Sequence, residues 1–167
     1  MALFKRTDPV LFAGLDEELG GRADVLAHAT GEDGVVVAGT REAFAVGTHG
    51  SWEVWPWERV GGGSWKAEQG RFRWKTVDGV QHEVALSDPQ HLPQLFRERV
   101  EASTVVQVLI DAPVRGEVQI VGRRSLGRHM TMSWYAVASG GADLSDPATS
   151  AAVVAETDRL KSEYFSL

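Results

Sequence analysis

Short apolar runs separated by turn residues fill the chain between Arg22 and Leu86. Each run is short enough for a strand, and the separators hold the glycine and aspartate residues that favour turns. The seven predicted strands are 25–29, 34–39, 43–48, 51–55, 64–68, 71–77 and 82–86. Asp78-Gly79 lies between two such runs and is a strong hairpin signal. Seven short strands at regular spacing predict an antiparallel barrel or sandwich.

A helical period follows this strand pattern. Ser87-Asp88-Pro89 provides a helix cap followed by proline, and apolar residues recur at helical spacing from Leu92 to Val106. Charged residues occupy the opposite face, so we predict an amphipathic helix of about 15 residues with one face to bury. Residues 105–110 fit either a last helical turn or a strand, because β-branched side chains dominate this stretch.

The last third of the chain predicts two strands and a helix. Residues 117–123 and 129–137 alternate apolar and polar positions, and Ser145-Asp146-Pro147 caps a final helix with one apolar stripe. We therefore predict a ββα extension. A unit of about 55 residues is small for independent folding, so we expect the extension to pack on the barrel.

The predicted organisation is an arm, a barrel and an extension. Residues 1–21 form an N-terminal arm with at most a short helix, because Gly20-Gly21 ends the segment before the strands begin. Residues 22–110 hold a seven-stranded antiparallel barrel capped by a helix, and residues 111–167 hold the ββα extension. The predicted fold class is α+β.

Four short sequence stretches in the predicted barrel and its helix resemble those of known proteins. They are RADVLA at 22–27, WPWERV at 55–60, LSDP at 86–89 and LFRERVEAS at 95–103. These stretches resemble a group of uncharacterised actinobacterial proteins that look like pleckstrin-homology-like barrels with a carboxy-terminal extension. The resemblance covers roughly residues 22–165 and implies a barrel whose open end is plugged by the helix. It implies no functional residues, since the fold serves lipid, peptide and protein binding alike.

Composition narrows the functional classes. The 167 residues include no cysteine, which excludes disulfides, thiol catalysis and thiolate metal sites. Acidic residues outnumber basic ones, and the net charge of −6 argues against a dedicated nucleic-acid binder and against attraction to anionic membranes. No apolar run approaches the roughly 18 residues that span a bilayer, so an integral membrane protein is not expected and we expect a cytoplasmic location.

The tryptophans are concentrated in one part of the chain. Five of the six fall within 23 residues, at Trp52, Trp55, Trp57, Trp65 and Trp74. Trp55 and Trp57 flank Pro56 and share one parity, so their exposed rings would form an apolar platform that anchors a peptide or small ligand. The alternative is that large aromatic residues fill the interior of a small barrel. We favour filling of the interior for the five tryptophans as a set. For Trp55 and Trp57 we give equal weight to an exposed platform and to filling of the interior.

A basic row lies on one predicted strand. Arg71, Arg73 and Lys75 alternate with Phe72 and Trp74, so the cations share one face. Arg71 and Arg73 are candidate contacts for a phosphate, an acidic partner or single-stranded nucleic acid. The alternative, which we favour, is a solvated strand face paired with acidic neighbours.

A second basic cluster lies at a predicted hairpin tip. Arg123, Arg124 and Arg128 stand close to two glycines there, and guanidinium groups bind carboxylate or phosphate in a fork. These three arginines are candidate anion contacts. The alternative is that the tip is basic only because it is solvated.

No catalytic motif appears in the sequence. G-x-S-x-G, Walker and dinucleotide-binding patterns are absent, and the histidines lack metal-ligand spacing, so we expect no cofactor and no metal. We interpret the protein as a non-enzymatic binding or regulatory module for a protein, a peptide or a small anionic ligand. The alternatives are a small-ligand carrier or enzyme with a pocket in the barrel or between the subdomains, and a nucleic-acid accessory protein. A protein or peptide partner is favoured, and an uncovered edge strand would also allow a homodimer.

Overall fold

Ten strands and three α-helices follow one another in residues 9–165, the part of the chain that the computed structural model describes. The strands are β1 (Val25–Thr30), β2 (Val35–Thr40), β3 (Ala43–Thr48), β4 (Ser51–Pro56), β5 (Val60–Lys66), β6 (Arg71–Thr76), β7 (Gln81–Ala85), β8 (Thr104–Asp111), β9 (Glu117–Arg124) and β10 (Met132–Ser139). The helices are α1 (Leu15–Leu19), α2 (Leu92–Ser103) and α3 (Pro147–Phe165), with 3-10 turns at Pro9–Phe12 and Trp57–Arg59. No helix in the described range is long and apolar enough to cross a membrane.

The strands form three antiparallel sheets, which confirms the predicted α+β class. Their orders are β1-β2-β3-β4, β5-β6-β7 and β10-β9-β8. The predicted seven strands of the barrel therefore appear as a four-stranded and a three-stranded sheet, and within residues 9–165 no closed barrel is found. The chain leaves β4 through the 3-10 turn at Trp57–Arg59, which interrupts strand pairing between the two sheets.

The described chain divides into two units. The first runs to Ser103 and also contains Ser125–Met130, whereas the second contains Thr104–Arg124 and the chain from Thr131 onward. The first unit thus holds β1–β7 with α1 and α2, and the second holds β8–β10 with α3. Residues 1–8 of the predicted N-terminal arm lie outside the described residues.

Aromatic residues form the main core of the first unit. Phe44 of the first sheet contacts Trp74 of the second sheet at 5.0 Å and Phe96 of α2 at 5.1 Å between ring centroids, both edge to face. This geometry is favourable for aromatic pairs beyond the area they bury. The apolar face of α2 therefore packs into the same core as both sheets, as its helical period predicts.

The glycines at 61–63 lie inside β5, although the sequence predicts a strand only from 64. The register with β6 shifts between Val60 and Gly63, which is typical of a β-bulge. A Cβ at Gly63 would lie 2.7 Å from the Cε1 of Phe96, too close for any side chain. The glycine therefore lets α2 approach the strand, and the strand continues through it.

The described part of the predicted arm packs on the outer face of the first sheet. Leu15 of α1 is buried with Ala38, Ala45 and Trp52 in a second apolar cluster of this unit. The indole N–H of Trp52 donates to the carbonyl of Ala13 at 2.9 Å. This hydrogen bond fixes residues 9–19 against the hairpin of β3 and β4.

The second unit is a three-stranded sheet packed against α3. Val106, Val118, Ile120 and Leu160 form its buried core. The stretch 105–110, which fits helix or strand by sequence, lies in strand β8 and pairs with β9. The predicted ββα extension is therefore a βββα unit, because the β-branched residues of this stretch favour a strand after α2 ends at Ser103.

Candidate functional site

Trp55 and Trp57 lie in different environments, so the predicted platform of the two exposed rings does not form. Trp57 is 0% exposed, and its indole N–H donates to the carbonyl of Thr40 at 2.8 Å. The chain leaves the strand after Pro56 and enters the 3-10 turn, which directs Trp57 into the core. Parity between alternate residues holds only within a strand, and Pro56 ends it. Trp55, by contrast, is half-buried.

Trp55 is part of a cluster of three rings. Its ring lies edge to face with Trp74 at 5.4 Å and with His82 at 5.0 Å between centroids. The imidazole of His82 stacks on Trp74 at 5.2 Å with an interplanar angle of 14°. Trp74 is buried, so the core supports the rings of Trp55 and His82 from below.

A groove of about 350 Å³ opens beside this cluster. We name it the aromatic groove, lined among others by Trp55, Pro56, Arg59, Asp78, Val80 and His82. Val80 is 49% exposed and adds apolar surface to the groove. The groove therefore offers an apolar wall with a cation and a carboxylate near it.

The carboxylate of the groove, Asp78, is stabilised in its ionised form by a hydrogen bond within its turn. The hydroxyl of Thr76 donates to Asp78, and this hydrogen bond lowers the pKa of Asp78 from its ordinary value. Asp78 is therefore charged at neutral pH. Among the described residues, no group of three or more His, Cys, Asp or Glu side chains is placed to hold a metal ion. The groove can consequently bind through apolar contact and charge, and we assign it no catalytic step.

Two edge strands contribute to the aromatic groove. Trp55 belongs to β4, the edge of the first sheet, and His82 belongs to β7, the edge of the second sheet. An edge strand has one side on which its N–H and C=O groups do not take part in the sheet. Such a strand can accept an extended peptide as an additional strand.

The basic row on β6 is exposed, as predicted, and paired. Arg71 and Arg73 both form salt bridges with Glu83 of β7. The Nε of Arg73 lies 2.8 Å from the Oε2 of Glu83. Arg73 also donates to the Oε1 of Gln69 at 2.9 Å. The hydrogen bond from Arg73 lowers the pKa of Glu83, which keeps this counter-charge ionised. The arrangement matches the favoured alternative of a solvated strand face paired with an acidic neighbour.

The three arginines of the second basic cluster do not converge on one site. Arg123 is only 1% exposed on β9, and its guanidinium donates to the hydroxyl of Tyr135 at 3.4 Å, so it is not available to an outside anion. Arg124 is exposed at the last position of β9, where it pairs with Met132. Arg128 is exposed in the loop that belongs to the first unit. The predicted hairpin tip begins after Arg124, which places Arg123 within the strand.

Sequence reasoning missed His82, Arg59 and Val80 as groove residues. One signal for His82 was present, because the turn at Asp78-Gly79 predicts a hairpin, and a hairpin centred on Asp78 pairs Trp74 with His82, as the structure has it. The approach of Trp55 to both rings has no signal in the sequence. It depends on how the first sheet packs against the second.

Comparisons of the chain with protein-family models, with curated proteins and with solved structures found no match. The candidate site therefore rests on the geometry of this chain. Its main elements are the three-ring cluster, the exposed Val80, and the charges of Arg59 and Asp78.

Proposed function

We propose that the first unit is a pleckstrin-homology-like module and that it binds an extended peptide in the aromatic groove. A four-stranded meander, a three-stranded meander and one amphipathic helix follow in the order that this fold requires. Burial of α2 against both sheets supports the same assignment. The proposal includes kinship with the actinobacterial group that the sequence resembles.

The observation that carries the proposal is the ring cluster between two edge strands. Trp55 and His82 present partly exposed rings at a groove bordered by β4 and β7. Half-exposed aromatic residues supply large contact area at low entropic cost, because few torsions are lost on binding. A backbone edge beside such rings suits a peptide better than a rigid small molecule.

The charges of the groove indicate which peptide fits. Arg59 is exposed and can receive a carboxylate, while Val80 and Trp55 provide an apolar contact beside it. The preferred partner therefore carries an apolar side chain next to one acidic residue that pairs with Arg59, and the ionised Asp78 disfavours a second carboxylate near itself. The pairing of Arg71 and Arg73 with Glu83 leaves the neighbouring face less suited to nucleic acid.

A designed peptide array tests this proposal. One set of fluorescent peptides has a central Leu, Phe or Trp with Asp or Glu on one side, and a matched set has Lys or Arg at that position. We expect fluorescence anisotropy to show binding to the acidic set at least about tenfold tighter than to the basic set, as expected when a rim charge is complementary. Equal affinity for both sets, or no binding to either, would contradict the proposal.

Two surface variants test whether the peptide binds in the aromatic groove. Val80→Glu and Arg59→Glu should each weaken binding of the acidic peptides by about tenfold or more, since both put a carboxylate where the peptide carries one. Val114→Glu is the matched control for the first, because Val114 is a loop valine 75% exposed in the second unit. Arg97→Glu on the exposed face of α2 is the control for the second. Equal losses in the control variants would place the peptide elsewhere.

A further inference from the structure

A second cavity of the first unit has a different character from the aromatic groove. It has a volume of about 680 Å³ and is lined by the end of α1, the segment between α1 and β1, the end of β2 with the turn to β3, and the loop at 125–130. Its arginines are Arg22, Arg41 and Arg128, and His129 also lines it. Asp24 and Glu42 are the acidic residues of its lining. We name it the arginine cavity.

The three arginines of the cavity are not equivalent. Arg41 is engaged, because its Nε donates to the Oδ2 of Asp24 at 3.0 Å and its backbone N–H donates to the Asp24 carbonyl at 3.1 Å. Arg22 and Arg128 form no salt bridge with any carboxylate in residues 9–165. Two guanidinium groups that form no salt bridge thus line one cavity of a chain whose net charge is −6, and Glu42 is the carboxylate of that lining with no salt bridge of its own among residues 9–165. This contrasts with Arg71 and Arg73, which share Glu83.

Unpaired like charges in one cavity repel each other unless an anion binds between them. The repulsion is strongest where the cavity walls reduce the screening by water. A guanidinium presents planar donors whose geometry matches phosphate and carboxylate oxygens. A phosphate group carries up to two negative charges at neutral pH, which matches the two unpaired arginines.

The walls of the cavity are held by local hydrogen bonds. The hydroxyl of Ser125 donates to the carbonyl of His129 at 2.7 Å, which closes the loop that carries Arg128. On the opposite wall, the N–H of Ala23 donates to the Oδ1 of Asp16 at 2.7 Å beside Arg22. A Cβ at Gly127 would lie 3.6 Å from the Oε2 of Glu42, so the loop lies against the turn of β2 and β3. The arginines are therefore carried by segments that are ordered before a ligand binds.

The lining also indicates the size and polarity of the ligand. Among the described residues that line the cavity, Leu19 is the one large apolar side chain, and the others are glycine, polar or charged. Cavities that bind small molecules measure about 300–1,000 Å³, and this one lies within that range and exceeds the needs of a bare phosphate ion. From this chemistry we propose that the arginine cavity binds a small polar molecule bearing a phosphate group, with Arg22 and Arg128 as its phosphate contacts.

Calorimetric titration of the full chain tests the proposal with defined probes. The probes are glucose 6-phosphate, glucose, pyrophosphate and succinate. We expect glucose 6-phosphate to bind, glucose not to bind, and succinate to bind at least about tenfold more weakly than glucose 6-phosphate, as a carboxylate has less charge per group. Pyrophosphate tests the need for the sugar, because binding as tight as that of glucose 6-phosphate would show that phosphoryl groups suffice and would contradict the assignment of a larger polar molecule. Binding of succinate as tight as glucose 6-phosphate, or no binding of either phosphate probe, would overturn the proposal.

Three variants and one control localise the binding. Arg22→Gln and Arg128→Gln should each weaken the binding of the phosphate probe by about tenfold, whereas Glu42→Gln should strengthen it by about threefold because a repelling carboxylate is removed. Arg97→Gln is the control, since Arg97 is also exposed and lines none of the cavities described for this unit. A loss in Arg97→Gln equal to that in the cavity variants, or weaker binding in Glu42→Gln, would overturn the assignment. Val80→Glu should leave the affinity for the phosphate probe unchanged, which separates this proposal from that of the aromatic groove.

Discussion

The two units of the molecule have cores of different composition. The first unit buries Phe44, Trp57, Phe72 and Phe96 where its two sheets meet α2. The second unit buries small aliphatic residues, with Leu160 of α3 against the middle strand of its sheet. Both arrangements shield an apolar face, and only the first one needs large rings to fill the space between two sheets and a helix.

This difference explains where the candidate site lies. Trp74 contributes to the aromatic core and also stacks beneath His82 at the wall of the groove. Rings that fill a core between two sheets reach the surface where the edges of those sheets approach, at Trp55. The buried core of the second unit is aliphatic, and Trp134, partly exposed, packs against it. A binding surface of aromatic character therefore follows from the way in which the first unit fills its interior.

The largest expected effect comes from breaking the aromatic core. Phe44→Ala should lower the free energy of unfolding by about 3–5 kcal/mol, because a buried ring is lost and the cavity cannot collapse. Phe44→Leu keeps more of the side-chain volume and should lower the free energy of unfolding by clearly less than Phe44→Ala. Urea denaturation followed by circular dichroism measures both. A loss in Phe44→Ala no larger than that in Phe44→Leu would show that the rings are not closely packed.

A smaller effect is expected in the second unit. Leu160→Ala should lower the free energy of unfolding by about 2–3 kcal/mol, at the lower end of the range for this substitution, since small aliphatic neighbours can relax into the space. Amide hydrogen exchange in β8, β9 and β10 is the measurement. A loss as large as that of Phe44→Ala would remove the contrast between the two cores.

The smallest expected effect concerns a hydrogen bond from a hydroxyl to an aspartate in a turn, which occurs in both units. Asp78 accepts a hydrogen bond from the hydroxyl of Thr76, and Asp143 accepts one from the hydroxyl of Ser145 at 2.6 Å. These hydrogen bonds lower the pKa of each aspartate in the folded state. Their stabilising contribution is therefore present above the unfolded carboxyl pKa of about 3.9 and is lost as the pH falls through the lower folded value.

Substitution of the two aspartates tests this acid sensitivity. Asp78→Asn and Asp143→Asn should each reduce the loss of stability between neutral pH and about pH 2, because the group that takes up a proton is gone. Asp158→Asn, at an exposed position on α3, is the control. The measurement is the urea midpoint as a function of pH. An unchanged pH profile in both variants would show that these turns do not contribute.

Much of the local structure could be predicted from the sequence. The alternation at Arg71–Thr76 placed Phe72 and Trp74 inside and the basic residues outside, because the period of a strand is a local property. Residues 105–110 were ambiguous, since β-branched residues there satisfy a short helix end or a strand, and only pairing with β9 decides between them.

The site depended far more on contacts distant in the sequence. Trp55 and Trp57 have the same type and parity, yet one is half-buried at a groove and the other is in the core. Arg123 and Arg128 belong to one basic cluster by sequence and to different environments in the fold. Residue type and spacing report a side chain's chemistry, whereas its exposure depends on segments that pack against it from elsewhere in the chain.

Local periodicity and turn chemistry alone establish the α+β class, the hairpin at Asp78-Gly79 and the amphipathic character of α2. These features depend on interactions between residues a few positions apart. The split of seven strands into two sheets, the ring cluster at Trp55 and the unpaired Arg22 and Arg128 in one cavity appear only in the tertiary structure. The physical reason is that packing and long-range electrostatics depend on which surfaces meet, and many arrangements share the same local pattern.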